Sequence, residues 1–335
     1  MIPEKKLDIL KDTYYTDEYI SLYLTTEDRL FEFEYREGEQ LFFNKTIKRP
    51  IKQIGGRRIE DGYFDLESAY GYGGYYTNTE DKLFLKKALS AYKVKCQEEN
   101  IIAEFMRSHP FNDFAQKHSD LLDFCLYDRD LVVVSLDQEL LKNYKPKTRN
   151  AIKRASEKVS FQESKNIEKF IELYTATMTK NEADDFYFFN KKQYNQLLDL
   201  EQARLFEITA GDDIIAMGFF LFGEDLCHYH LSANSPLSYQ YNSNYVLLHN
   251  LFMHAQELGK KFFVLGGGTT NIDTDPLFMF KKKFSNELRP FYIAGQVFNQ
   301  AMYDQYNQIW LDQSAKDIKY FLKYRSACQL ESSCP

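Results

Sequence analysis

What the sequence lacks narrows the reading first. No run of apolar residues among its 335 approaches the ~18–20 needed to span a bilayer; the longest, about residues 214–222, falls well short, so no integral membrane segment is expected. The opening stretch, MIPEKKLDIL, carries charges where a secretion signal needs its apolar core. Basic residues are not in excess. The 42 Lys and Arg against 49 Asp and Glu leave a net charge of −7, which excludes a generally basic coat for DNA and leaves room only for a local basic face. The cysteines (Cys96, Cys125, Cys227, Cys328, Cys334) are odd in number and scattered, with no C-x-x-C pair supported by histidine, so free thiols and no metal are expected. Tryptophan occurs once. These absences point to a cytoplasmic, metal-independent globular protein.

What is present fits two domains or one large one, long enough to bury a core without disulfides. Hydrophobic residues at 44% and charged residues at 27% exclude wholesale disorder and fibres. The unusual term is aromatic: 28 Phe and 25 Tyr imply thick cores or deep pockets. Strands are expected at residues 21–24, 30–35 and 40–43, and a helix at 81–99, with strands at 101–106 and 131–136 after it. Residues 142–158 hold seven basic side chains and one acid, Glu157, in which Arg149/Lys153 and Arg154/Lys158 form stripes on a helix. That helix reads as a linker, dividing the chain into domains 1–141 and 142–335; its face is either simply solvated or turned toward phosphate. Helices at 167–178 and 191–200 precede three strands (203–209, 214–222, 226–231), then a helix at 244–258 closed by Gly259, and a short strand at 261–265.

Several segments could carry chemistry. In a strand through Cys227–Asn234, His228, His230 and Ser232 share one face while Tyr229 and Leu231 take the other. His230, nearer the strand end, is either a hydrogen-bonded structural residue or the proton acceptor for which its ordinary pKa suits it. Two histidines on one face could also hold a metal, but no third ligand is evident. The run Gly266-Gly267-Gly268 leaves an apolar strand and would let backbone N–H groups approach an anion, or merely form a tight exit; it lacks the spacing of a dinucleotide or P-loop motif. Phe280 and Phe284 stack at i, i+4 beside Lys281, which could hold a phosphate or lie over a packed aromatic pair. Tyr70–Tyr76 combines glycines for access with tyrosines for contact, or forms only a turn.

Taken in order, these motifs resemble the FemABX-like branch of the GNAT acyltransferase superfamily. The resemblance rests on Asp65-Leu66 with Tyr70-Gly71-Tyr72-Gly73-Gly74, the helix from Arg149 to Ala155, and Phe170-x-x-Leu173-Tyr174 with Phe186-Tyr187. It continues through His228–Ser232, Leu265–Gly268 and Leu277-x-x-Phe280-Lys281. It implies an α+β (mixed-sheet α/β) fold of two tandem GNAT-like domains sharing a cleft. It also implies transfer of aminoacyl groups from tRNA, or acyl groups from CoA, to amines of precursors. Lys281 matches the lysine that holds substrate phosphate; Tyr72, Gly73 and Gly74 match the loop beside the substrate, with Tyr187, Ser232 and Gly267 as further substrate contacts. Ordinary GNAT domains carry a glycine turn for the CoA pyrophosphate. Here that stretch is Tyr239-Gln240-Tyr241-Asn242-Ser243-Asn244, without glycine, although the helix N-terminus at Asn242, Ser243 and Asn244 still offers N–H groups to a cofactor. The long coiled-coil arm of some tRNA users is also absent.

The expected activity is acyl transfer, from acyl-CoA, onto an amine of a phosphate-bearing nucleotide-linked sugar or cell-envelope precursor, with His230 taking the amine's proton. Aminoacyl-tRNA is the alternative donor and tRNA the alternative partner. A ligand-binding protein with a degenerate donor site is the reading from another class.

Overall fold

The computed structural model describes residues 7–183, 187–314 and 318–327. Phe186, Cys328 and Cys334 lie outside them. In chain order the principal strands are β1 (Arg29–Glu37), β2 (Gln40–Pro50), β3 (Phe64–Glu67), β4 (Ile101–Arg107), β5 (Phe124–Ser135), β6 (Ser160–Ser164), β7 (Ala203–Ala210), β8 (Asp213–Phe222), β9 (Leu226–Asn234), β10 (Phe262–Gly266) and β11 (Glu287–Val297). The principal helices are α1 (Lys82–Glu98), α2 (Pro146–Ser156), α3 (Ile167–Lys180), α4 (Lys191–Asp199), α5 (Leu237–Tyr241), α6 (Ser243–Glu257), α7 (Pro276–Lys281) and α8 (Gln300–Leu311).

The chain folds as two compact units: a central unit, residues 1–22 and 129–290, and a flanking unit, residues 23–128 and 291–335. This differs from the division at Lys142 expected from the basic helix. Both ends of the chain cross the expected boundary, because the N-terminal segment packs with the second half and the C-terminal segment with the first. Composition carries no trace of such a return.

Each unit repeats one topology. In the flanking unit β1, β2 and β3 pair antiparallel; α1 then returns the chain so that β4 runs parallel to β3, and residues 293–297 of β11 pair antiparallel with β4. In the central unit β6 to β9 pair antiparallel, α6 returns the chain to β10 parallel to β9, and residues 132–135 of β5 pair antiparallel with β10. The fold is a mixed α/β one of two halves with the same topology.

Local chemistry fixes the boundaries. Asp81 caps α1 by accepting from the N–H groups of Leu83 and Phe84. Asn190 and Gln193 form a reciprocal capping box at α4. The strand expected at residues 21–24 is instead the last residue of a short helix, Asp17–Ser21, capped by Thr16 and buried through Tyr19 and Ile20, and the turn that follows it; alternation over four residues is too little to set a strand against other structure. Much of the aromatic surplus fills cores. Phe206, Phe220, Phe252, Phe263 and Phe284 belong to the central one, and Phe42, Tyr75, Phe84 and Tyr92 to one in the flanking unit.

Candidate active site

In the central unit β9 and β10 pair for only three steps, Leu226 with Phe262, Cys227 with Phe263 and His228 with Val264. A register shift at Leu265 then carries β10 toward β5, where Gly266 pairs with Val132. β9 continues to Asn234 without β10 beside it, so residues 229–233 have no strand partner on that edge, while the Asn234 N–H donates to the Thr177 hydroxyl at 3.1 Å. Backbone N–H groups that a fork leaves without a strand partner are preorganised donors for a developing oxyanion.

The same strand carries a bulge. Phe219 pairs with Leu231 but Phe220 with Tyr229, leaving His230 as the extra residue. The bulge inverts the facing expected from alternation: Ser232 joins Tyr229 on one side and is hydrogen-bonded to it, instead of joining His228 and His230. Sequence alternation cannot register an inserted residue, so this error has a definite cause.

Lys281 lies on the Tyr229 side of the fork. Asp275 caps α7 through the N–H groups of Leu277 and Phe278, and accepts from the N–H and hydroxyl of Thr270, tying the Gly266–Thr270 exit to the helix. One and a half turns on, Lys281 donates from Nζ to the carbonyl of Gly267 at 2.7 Å and stands 5.5 Å from the Tyr229 ring centroid. It is buried, and burial, which outweighs attraction by Asp275 and is reinforced by Arg129, lowers its pKa to about 7. The glycines here serve packing. A Cβ on Gly267 would lie 2.7 Å from Cδ of Arg129, and one on Gly268 2.4 Å from Oδ1 of Asp275. Arg129 also donates to the Gly268 carbonyl at 2.9 Å.

His230 has different company. The N-terminal segment brings Asp12, whose Oδ2 lies 2.8 Å from Nε2 of His228, and Tyr14 and Tyr19, whose rings flank His230 at centroid distances of 6.4 and 5.7 Å. Burial, with His228 adding to it, lowers the His230 pKa to about 3. A group with so low a pKa is a weak proton acceptor near neutral pH.

At the start of α6, Asn242 has φ +52° and ψ +36°, the left-handed conformation that glycine usually supplies. The glycine missing from this turn is therefore replaced in conformation by asparagine. Ser243 is buried and hydrogen-bonded to Ser238, and Asn244 Oδ1 is buried with no hydrogen-bond partner. Tyr187, 40% exposed, belongs to the central unit as well.

Tyr72, Gly73 and Gly74 belong to the flanking unit. There the strand fork is closed. Pairing of β3 with β4 continues through Glu67 and Phe105, the Gly73 N–H donates to the Arg107 carbonyl at 2.7 Å, and the His109 N–H donates to the Gly73 carbonyl at 2.9 Å. Gly74, at φ +90°, turns the chain out of this zip. Of the site residues expected from sequence, the structure thus brings together Ser232, Gly267 and Lys281, and adds Tyr229, Arg129 and Asp275. The Asp275-Pro276 pair is a legible helix start; nothing local in the sequence signals that Arg129 packs on the glycines.

Residues 142–274 match the family described as the acetyltransferase (GNAT) domain. The crystal structure of FemX superposes with a TM-score of 0.68 at 13% identity, covering 90% of this chain and 95% of that one. The chain has a FemX-like fold, and its match to the GNAT domain lies within the central unit. The C-terminal domain of a putative lysylphosphatidylglycerol synthetase from Agrobacterium fabrum shares the fold at TM-score 0.53 and 15% identity, over 82% of this chain and 85% of that one. A conserved protein of unknown function from Bacteroides thetaiotaomicron does so at TM-score 0.50 and 12% identity, over 88% and 100%. No curated protein sequence matches. Among the described residues, no helix is long and apolar enough to cross a membrane.

Proposed function

We propose that the chain moves an acyl group from acyl-CoA onto an amine of a phosphate-bearing, nucleotide-linked or cell-envelope precursor, in the cytoplasm, by direct attack in a ternary complex. The observation that carries this reading is the fork between β9 and β10 with Lys281 buried at its mouth. The backbone edge beyond Tyr229 would donate to the carbonyl oxygen as it becomes an oxyanion. Lys281, near its midpoint of ionisation at neutral pH, would accept the proton that the attacking ammonium loses. The C–N bond then forms, the C–S bond breaks, the departing thiolate takes the second proton from the attacking nitrogen, directly or through water, and Lys281 returns the first to solvent. The base role first expected of His230 passes to Lys281 on these grounds. The phosphate role expected of Lys281 is the other use of the same group, because a phosphate beside it would hold it protonated. The pyrophosphate of the donor would meet the N-terminus of α6 at Asn242, Ser243 and Asn244.

Lys281→Met tests this. With acetyl-CoA and a panel of amines, thiol release should fall by about 10²–10⁴-fold while acetyl-CoA affinity changes little. Unchanged turnover removes Lys281 from the mechanism.

Aminoacyl-tRNA as donor is the second reading. It is favoured by the exposed Lys145, Lys147, Lys153, Arg154 and Lys158 on and beside α2. Arg149 is not available to that face, because it donates to the carbonyls of Leu141 and Tyr144. Steeply salt-dependent protection of residues 142–158 by tRNA would establish this donor.

A further inference from the structure

The N-terminal segment belongs to the central unit, against which it folds as two single turns, Ile9–Lys11 and Thr13–Tyr15, and the helix Asp17–Ser21. Asp12 starts the second turn by accepting from the Tyr14 N–H through Oδ1, and Thr16 starts the helix by accepting from the Tyr19 N–H. The contacts of this segment converge on one strand. Asp12 Oδ2 meets His228 Nε2 at 2.8 Å, and both side chains are buried. The Tyr14 ring stands T-shaped against His228 at 4.7 Å and against Tyr19 at 4.9 Å, and both tyrosine rings reach His230. A Cβ on Gly223 would lie 3.3 Å from the Thr13 nitrogen and 3.4 Å from Asp12 Oδ2, so the segment rests directly on the turn between β8 and β9. The exposed pair of Lys11 with Glu224 adds little to this.

The two histidines bracket the start of the fork. His228 makes the last pairing of β9 with β10, opposite Val264, and His230 is the inserted residue of the bulge. Tyr229, between them, opens the stretch without a strand partner, and its ring faces Lys281 at 5.5 Å. Beyond His228 only β8 holds β9 within the sheet, and the bulge interrupts that ladder as well. Donors to an oxyanion are effective only when they are in place before the charge develops. The fork therefore needs a hold from outside the sheet, and the rings on His228 and His230 supply one on either side of Tyr229.

We propose that Asp12 is a positioning residue: through His228, and with Tyr14 and Tyr19 on His230, it holds the edge of β9 at Tyr229 in the geometry that acyl transfer requires. This rests on the fork being the place of transfer. Asp12 is buried and acts through another residue, so its loss should lower kcat and leave donor binding alone. A misplacement of about 1 Å is enough to cost about 10²-fold in rate.

The test compares the full chain with Asp12→Leu, Asp12→Asn and Tyr14→Leu. Each is measured by calorimetry with acetyl-CoA, by thiol release with a panel of amines, and by hydrogen exchange of residues 226–234. Asp12→Leu should lower kcat by about 10–100-fold while acetyl-CoA affinity changes by less than about threefold. It should also speed exchange at residues 228–233. Tyr14→Leu keeps the carboxylate, guards against an Asp12→Leu chain that folds poorly, and should act in the same direction. Asp12→Asn can accept from the Tyr14 N–H through its oxygen and donate to His228 Nε2 through its amide, so it should keep most of the turnover. Four results would overturn the assignment: unchanged kcat in Asp12→Leu, a fall in kcat matched by weaker acetyl-CoA binding, an Asp12→Asn chain as slow as Asp12→Leu, or unaltered exchange at residues 228–233. A parent chain that releases no thiol would overturn the acyl-transfer reading instead, and exchange alone then decides whether Asp12 holds the strand.

Discussion

Replacing Glu104 by glutamine removes an ionisable group from the core of the flanking unit without changing its shape. Glu104 is fully buried on β4, and its carboxylate accepts from Asn44 Nδ2 at 2.7 Å on one oxygen and from the hydroxyls of Tyr75 and Tyr92 at 2.8 and 2.9 Å on the other. Burial raises its pKa from 4.5 to about 7, against the opposing effect of these three donors. The shift corresponds to about 3 kcal/mol. Its sign follows from proton binding: between the two values the native state holds a proton that the unfolded state has released. This group's contribution is therefore fully present below pH 4.5 and is lost as pH rises through 7. Glutamine carries no such dependence. Glu104→Gln should match the parent within about 1 kcal/mol at pH 5 and exceed it by about 3 kcal/mol at pH 8. Urea denaturation followed by tryptophan fluorescence reads this directly, because the single tryptophan, Trp310, is buried in the same unit and donates to the Ser326 carbonyl. Other titrating groups are common to both proteins and cancel in the difference. Parallel stability–pH curves for the two would refute the argument.

Two further outcomes follow from the forks and the turn before α6. Calorimetry with acetyl-CoA should give one molecule per chain, because the fork in the flanking unit is closed through Gly73; two equivalent sites would mean that the zip opens. Asn242→Gly should be nearly neutral in thermal stability, whereas Asn242→Val should cost about 1–2 kcal/mol for holding a branched residue at positive φ. Equal unfolding midpoints for the two variants would contradict the left-handed assignment.

The elements were largely legible in the sequence, and the reasons are local. The helix at 81–99 announces itself by the capping Asp81 and its apolar period, and the strands at 203–231 by hairpin turns such as Gly211, which has φ +61°. The site was legible only where its chemistry sits in one segment: Lys281 and Gly267 were identified, but their direct contact was not. What failed was long-range or depended on a single inserted residue. The bulge at His230 moved Ser232 to the opposite face, Asp12 reached His228 from 216 residues away, and Arg129 filled the space beside Gly267. The basic charge of α2 was visible, but not that Arg149 is spent on carbonyls of the preceding turn.

The division of the chain into units has a consequence for biosynthesis. Residues 23–128 emerge from the ribosome early, yet their unit takes its antiparallel partner for β4, and its tryptophan helix α8, from residues after 290. The open edge of β4 must therefore wait, unpaired, while the whole central unit is translated. At ~5–20 residues per second the 162 residues from 129 to 290 take about 8–32 s. The central unit, whose last segment ends at residue 290, can complete itself first, and nascent chains stalled before residue 291 should present that edge to chaperones.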